Sequence, residues 1–146
     1  MNNIISIKSE HISKCCELYI KVFNGEPWND KWTKETTYKR LNDIYVSPNF
    51  EGVLYLEDGH VKGAIFGNFE QFYEGIHYNL REMFIDNELQ GKGIGSKLLK
   101  ELEEHLKKLG VTTLILFTSK GNKTNEFYLK NNFSEWNSMA MMGKDI

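Results

Sequence analysis

The amino-acid sequence predicts an α/β (α+β) fold in which helices cover both faces of one mixed sheet. Three observations favour this class: a helix-periodic N-terminal part, short strands in the middle of the chain, and alternating helices and strands after it. The length of 146 residues suits a single domain, 1–146. The expected element order is β-α-α-β-β-β-α-β-α-β, with about six to seven strands.

The N-terminal part predicts one strand and two helices. Ile4–Ile7 alternates like a short strand, and Glu10–Phe23 repeats its apolar residues at helical spacing, with Ser9 as the expected cap. A second helix is expected from Thr33 to Tyr45, because apolar positions again recur on one face.

Strands dominate the middle of the chain. Val53–Glu57 and Val61–Asn68 flank Asp58-Gly59, a turn pair that favours a β-hairpin. A further strand, His77–Ile85, is expected next.

The C-terminal half begins with a strongly amphipathic helix, expected from Gly93 to Leu109 and ended by Gly110. The apolar, β-branched run Val111–Phe117 predicts a strand buried on both faces. The remaining predicted elements are a short helix, Asn122–Lys130, and one or two closing strands from Phe133 through Met139–Met142.

Composition excludes several classes of function. A formal net charge of −2 argues against a general nucleic-acid binder, which needs a basic face. No apolar run approaches a membrane span, and the N-terminus lacks signal-peptide features, so a cytoplasmic protein is expected. Cys15 and Cys16 are adjacent, which predicts buried free thiols and no metal site.

The segment Gln90–Gly95 carries the clearest chemical signal. It follows a predicted strand, has three alternate glycines and opens the amphipathic helix. Glycines let a ligand approach the backbone, and the first amides of a helix are unpaired at the positive end of its dipole. This arrangement predicts a phosphate-binding loop.

Two common phosphate-binding motifs fit this loop poorly. A Walker loop needs Ser or Thr after Gly-Lys, whereas Gly93 follows Lys92. A dinucleotide-binding fingerprint needs a third glycine where Ser96 stands, and it belongs in the first βα turn.

The loop instead resembles that of the Gcn5-related N-acetyltransferase (GNAT) superfamily, which reads Gln or Arg, two residues, Gly, one residue, Gly or Ala. Gln90, Gly93 and Gly95 match it. Glu82–Ile85 resembles the family's fourth strand, and Glu126–Phe133 resembles its last helix. The sequence departs from the family pattern in two places. Asn132 replaces the usual Gly, and Asn can do so because it also adopts left-handed conformations. The segment Asp86–Leu89 lacks the family's common proline.

The resemblance implies acetyl-CoA (coenzyme A) as the acyl donor. The backbone of the strand end would pair with the pantetheine arm and polarise the thioester carbonyl, and the loop amides would hold the pyrophosphate. Asn122 and Asn125 are further candidates, although Asn122 serves equally well as a helix cap. The full set of implied cofactor-binding residues is Met83, Phe84, Ile85, Gln90, Gly91, Lys92, Gly93, Ile94, Gly95, Ser96, Asn122 and Asn125.

Two catalytic residues follow from the same resemblance. Tyr128 stands where the family places the general acid, and a phenol is a suitable proton donor to a thiolate. Glu82 is expected to be the base that takes the proton of the amine, through water. His77 is the fallback base.

The predicted acceptor is the primary amine of a small cationic molecule, similar to an aminoglycoside or a polyamine. The segments Asn24–Lys34 and Phe69–Glu74 both contain acidic and aromatic side chains, which suit a cationic ligand. The stretch Phe23–Trp32 also resembles the early helices of some aminoglycoside-acetylating members of the family. A protein or peptide amine is the alternative within the enzyme class, and a non-catalytic acyl-CoA sensor is the alternative outside it. A homodimer is possible within the family. The implied acceptor residues are Glu26, Trp28, Trp32, Phe72 and Tyr73.

Overall fold

The computed structural model describes residues 3–146. The chain forms two compact units, Met1–Ile115 and Leu116–Ile146. Short 3₁₀ turns at Ser9–His11 and Asn87–Leu89 precede two of the helices. The elements in chain order are β1 (Ile4–Ser6), α1 (Ile12–Phe23), α2 (Lys34–Tyr45), β2 (Phe50–Glu57), β3 (His60–Phe72), β4 (Gly75–Ile85), α3 (Ile94–Lys108), β5 (Val111–Ile115) and α4 (Lys123–Lys130).

The sheet of the first unit has five strands in the order β1-β2-β3-β4-β5. The first four strands pair antiparallel, and β4 pairs parallel with β5. The predicted mixed α/β class is confirmed. The predicted count of six to seven strands is too high by at least one within the described residues.

The closing strands are the part of the prediction that is wrong. Residues 131–146 contain no strand in the described structure, and Met139, Met141 and Met142 are largely exposed. Unbranched methionines have a weaker strand preference than β-branched residues, so the apolar run Met139–Met142 does not by itself enforce a ladder. The strand expected to reach Phe117 ends at Ile115, and its last three residues are only half-buried because β5 lies at the sheet edge.

The helices of the first unit pack on opposite faces of its sheet. Buried residues of α1 and α2 form one hydrophobic cluster with sheet residues such as Leu54, Phe66 and Phe84. The apolar stripe of α3, with Leu98, Leu102 and Leu106 buried, covers the other face.

The structure contains the predicted hairpin turn, and it makes Thr33 the N-cap of α2 where the sequence predicted the first helical residue. Asp58 and Gly59 form the hairpin turn with φ of 52° and 76°, and Thr33 Oγ1 accepts a hydrogen bond from Thr36 N at 3.1 Å. Asn132 adopts φ of 71°, the left-handed conformation expected of a residue in a glycine position. Ser9 does not cap α1, because it lies inside the preceding 3₁₀ turn.

Cys15 and Cys16 are buried free thiols, as predicted. Burial raises the pKa of Cys15 to about 12, so this thiol is not a reactive nucleophile at neutral pH. Within residues 3–146, no helix combines the length and apolar character that crossing a membrane requires.

Candidate active site

A β-bulge in β4 determines where Glu82 points. Phe66 pairs with Glu82 while the next residue of β3, Gly67, pairs with Leu80, so Arg81 is the extra residue. Because one extra residue exchanges the faces of a strand, Glu82 lies on the face opposite to Leu80. That face is covered by α1 and α2.

The carboxylate of Glu82 is largely buried and lies beside a cation. Its Oε1 atom is 3.5 Å from Nη2 of Arg40 on α2, and 15% of its side chain is exposed. Its Oε2 atom is buried without a hydrogen-bond partner among the described residues. Burial raises the pKa of Glu82, and the opposing effects of Tyr19, Arg40 and Arg81 offset the increase only in part. A carboxylate whose pKa is raised in this way is a better proton acceptor than an ordinary glutamate.

Aromatic rings surround Tyr19 on the same face of the sheet. The ring of Tyr19 lies 5.1 Å from that of Trp32 and 5.2 Å from that of Phe84, both edge-on. The side-chain amide of Asn24 holds the Trp32 backbone through two hydrogen bonds of 2.8 and 2.9 Å. Trp32 is therefore held beside Tyr19, and Tyr19 is the residue that interacts with Glu82.

Two of the other predicted acceptor residues lie in the same loop as Trp32. The ring of Trp28 packs edge-on against Phe23 at 5.1 Å, and Glu26 is exposed. The loop of residues 24–33 thus presents both aromatic and acidic side chains beside α1, as an ammonium ligand requires.

Phe72 and Tyr73 lie elsewhere in this chain. Phe72 ends β3 and Tyr73 follows it in the turn to β4, and the ring of Phe72 stacks on His77 at 4.2 Å. His77 precedes Glu82 by five residues of extended strand, a separation of roughly 15 Å at the usual rise. Within this chain, the structure does not bring these three residues close to Glu82.

The end of β4 extends beyond its neighbour β5. The parallel ladder pairs β5 with β4 only from Ile76 to Asn79, whereas the pairing of β4 with β3 continues to Ile85. Met83, Phe84 and Ile85 therefore lie past the last rung of the β4–β5 ladder. A ligand strand such as a pantetheine arm could bind at this diverging edge.

The loop after β4 is held by Asp86 and Gln90. The Gln90 side chain donates hydrogen bonds to Ile85 O and Asn87 Oδ1, both at 3.1 Å. The Asp86 carboxylate accepts from Lys21 Nζ at 3.0 Å and from Glu88 N at 3.1 Å, and it lies 3.5 Å from Lys62 Nζ. Burial by itself would raise the pKa of Asp86, but these partners outweigh it and the pKa is lowered.

Replacing Asp86 with Asn should lower stability at neutral pH by about 1–3 kcal/mol, because charge-assisted hydrogen bonds are lost. The lowered pKa means that this contribution is present above the pKa of the unfolded chain and disappears as the pH falls through the folded value. In urea unfolding, the difference in stability between the two proteins should therefore be larger at pH 7 than at pH 3. Asp43→Asn removes an exposed ion pair with Lys39 and is the matched control; equal losses in both variants would contradict a special role for Asp86.

The start of α3 presents unpaired amides to the solvent. Among the described residues, Gly91 N and the amides of 93–96 have no hydrogen-bond acceptor, whereas Lys92 N donates to Leu89 O at 3.3 Å. Gly91 and Gly93 adopt φ of 79° and 81°, and a Cβ at either position would meet nothing within 4 Å. The predicted phosphate loop thus offers five amide donors and an open approach, and the Lys92 amide is the one already engaged.

The second unit contains the remaining predicted residues. Asn122 caps α4, because its side chain accepts a hydrogen bond from Asn125 N at 2.9 Å. The Asn125 side chain donates to Glu135 Oε1 at 3.4 Å. Tyr128 is buried, with ring contacts to Phe127 and Phe133 at 5.2 and 5.4 Å.

Sequence reasoning missed Arg40 and Asp86. Both are charged residues at ordinary surface-type positions of the pattern, so only the fold reveals that one approaches Glu82 and the other is buried. Within residues 3–146, no group of three or more His, Cys, Asp or Glu side chains could hold a metal ion.

Two structures of aminoglycoside acetyltransferases share this fold. Aminoglycoside N-acetyltransferase AAC(6')-Iy in complex with CoA is 14% identical, with a TM-score of 0.76, covering 98% of this chain and 94% of that one. Meta-AAC0020 from an uncultured soil metagenomic sample, in complex with sisomicin, is 14% identical, with a TM-score of 0.74, covering 98% of this chain and 95% of that one.

Sequence comparisons identify the family. A protein of Bacillus subtilis (strain 168) named "Putative phosphinothricin acetyltransferase YwnH" is 36% identical over 84 residues, which are 55% of this chain. The match spans half of that relative's length. The model of the acetyltransferase (GNAT) family matches residues 12–133, the greater part of the sequence. The chain therefore belongs to the acetyltransferase (GNAT) family.

Proposed function

We propose that the chain is an N-acetyltransferase that uses acetyl-CoA to acetylate a primary amine of a small molecule directly. The observation that carries this proposal is the row of unpaired amides at the start of α3, below an open surface at Gly91 and Gly93. Amides at a helix N-terminus favour phosphate oxygens through hydrogen bonds and the helix dipole. Because the family match runs from the first unit into the second, we propose one functional domain over residues 1–146.

Different residues of the chain would bind the cofactor and transfer the proton. The amides of Gly91 and of residues 93–96 would hold the pyrophosphate, and the backbone of Met83, Phe84 and Ile85 would pair with the pantetheine arm. Acetyl-CoA would supply the acetyl group as a thioester. Glu82 would accept the proton that the ammonium group must lose before its nitrogen can form the new C–N bond.

The acceptor would be a small amine whose ammonium group approaches Trp32 and the acidic side chains of its loop. Cation–π contact and ion pairing both suit such a group. The two neighbours with the same fold are named for aminoglycoside acetylation, which supports a small-molecule acceptor of aminoglycoside or polyamine type. Phosphinothricin, named in the Bacillus subtilis relative, belongs in the same acceptor screen.

Replacing Gly93 with Ala should weaken acetyl-CoA binding by about tenfold or more, because the new methyl group would stand where a phosphate approaches and would disturb charge-assisted hydrogen bonds. Calorimetric titration with acetyl-CoA measures the effect. Gly59→Ala is the matched control, since Gly59 also has a positive φ of 76° and open space around it but lies in the β2–β3 turn. If the pure wild-type protein binds no acetyl-CoA, the proposal fails; equal affinity of all three proteins would remove Gly93 from the binding site.

A further inference from the structure

Arg40 is a half-buried cation next to the proposed base. About a third of its side chain, 35%, is exposed, and its ion pair with Glu82 joins Nη2 to Oε1 at 3.5 Å. A guanidinium group has five N–H donors in a planar fork. Tyr19 also interacts with Arg40 through a side-chain hydrogen bond. Two partners do not use all five donors of the fork, so a third partner can still bind this partly exposed guanidinium.

We propose that Arg40 binds a carboxylate group of the acceptor, so that the acceptors are amino-acid-like molecules that carry an amine and an acid together. This inference rests on the proposed acetylation of a small primary amine, and it replaces the aminoglycoside or polyamine acceptor named there with an amino-acid-like one. Arginine is well suited to this role because its fork matches the two oxygens of a carboxylate.

The surroundings of Arg40 complement a zwitterion. The partly exposed carboxylate of Glu82 supplies the negative charge with which an ammonium group would pair, and the ring of Trp32 packs against Tyr19 on the same face of the sheet. The guanidinium of Arg40 and the carboxylate of Glu82 are a few ångströms apart. The ammonium and carboxylate groups of an α-amino acid have a similar separation. A polyamine has no group to pair with Arg40 and would bring like charges together, which is unfavourable.

The acceptor test compares pairs of amines in which the carboxylate of one member is replaced by an uncharged carboxamide in the other. Each standard L-amino acid and its carboxamide are assayed with acetyl-CoA, and kcat/KM is expressed per free amine, because the carboxamide lowers the pKa of the amine. A polyamine and an aminoglycoside complete the panel. The wild type should prefer at least one amino acid to its carboxamide by about 10- to 100-fold, as expected for charge-assisted hydrogen bonds.

The variants separate binding by Arg40 from its electrostatic effect on Glu82. Arg40→Gln should reduce the acid-to-amide ratio of kcat/KM to near one, whereas Arg40→Lys should keep part of it. A change in the protonation of Glu82 affects both acceptors equally and leaves the ratio unchanged. Arg81→Gln is the control, since Arg81 also lowers the pKa of Glu82 but is exposed in the bulge; its ratio should equal that of the wild type.

A binding measurement decides the inference independently of turnover. Calorimetric titration with the preferred amino acid should give a dissociation constant about 10- to 100-fold higher for Arg40→Gln than for the wild type. If amines are acetylated without preference for the acid, or if Arg40→Gln keeps the preference, the inference is wrong while the proposed function stands. If no amine is acetylated, the proposed function fails, and unchanged or undetectable amino-acid binding then overturns the inference as well.

Discussion

Replacing Glu82 with Gln is expected to lower kcat/KM for acetyl transfer at neutral pH by about 100-fold or more, the usual contribution of a general base. Gln keeps the size of the side chain but cannot accept the proton of the ammonium group. In the wild type, kcat/KM should rise with pH through an apparent pKa above the ordinary glutamate value, since burial raises the pKa of Glu82. Initial rates over pH 5–9 with saturating acetyl-CoA measure both effects.

Glu103→Gln is the matched control for this variant. Burial also raises the pKa of Glu103, but this residue lies on α3, away from the face that Glu82 occupies. The control should keep wild-type turnover and its pH profile. Equal turnover in Glu82→Gln would assign the base to another group, with His77 the next candidate.

The same substitution should leave the fold intact. A glutamate whose pKa is raised on folding holds its proton more tightly in the native state, so the wild type loses stability as the pH rises from the unfolded-chain pKa to the folded one. Above the folded pKa that loss remains. The stability of the wild type minus that of Glu82→Gln should therefore be smaller at pH 7 than at pH 4. Thermal unfolding of both proteins at the two pH values measures this difference. A lower stability of the variant at pH 7 would show that the ionised carboxylate stabilises the protein.

Local signals in the sequence were sufficient for most of the fold. Asp58-Gly59 and Gly110 mark a chain turn and a helix end through backbone preferences that act over a few residues, and the structure places both as predicted. The closing strands could not be predicted reliably, because a strand exists only if a neighbouring strand supplies its hydrogen bonds. The apolar run Met139–Met142 has no strong strand preference of its own.

Only the part of the candidate site that consists of backbone amides, the glycine-rich loop, could be predicted from the sequence. The glycine pattern at Gly91 and Gly93 specifies positive φ and open space, which can be read from residue type. The bulge at Arg81 cannot be read in this way, because it depends on how β3 and β4 align, and it decides which face Glu82 occupies. Arg40 reaches Glu82 from a different helix, so this ion pair is a product of tertiary packing.

Replacing Tyr128 with Phe is expected to reduce kcat by about 100-fold, within the range of general-acid catalysis. The family resemblance implies that the phenol donates a proton to the departing thiolate, and Phe retains the ring without the proton. Tyr128 contacts Phe127 and Phe133 through its ring, and Phe keeps these ring contacts, so the variant should remain folded. Single-turnover rates and the thermal unfolding midpoint provide the two readouts.

The affinity for acetyl-CoA distinguishes catalysis from binding in this variant. If Tyr128 acts only on the leaving thiolate, the dissociation constant measured by calorimetry should equal that of the wild type while kcat falls, because the lost interaction is made only in the transition state. Tyr38→Phe removes a phenol from an exposed position on α2 and should change neither quantity. A Tyr128→Phe protein with full turnover would leave protonation of the thiolate to water or another group, whereas a parallel loss of affinity and turnover would make Tyr128 a binding residue.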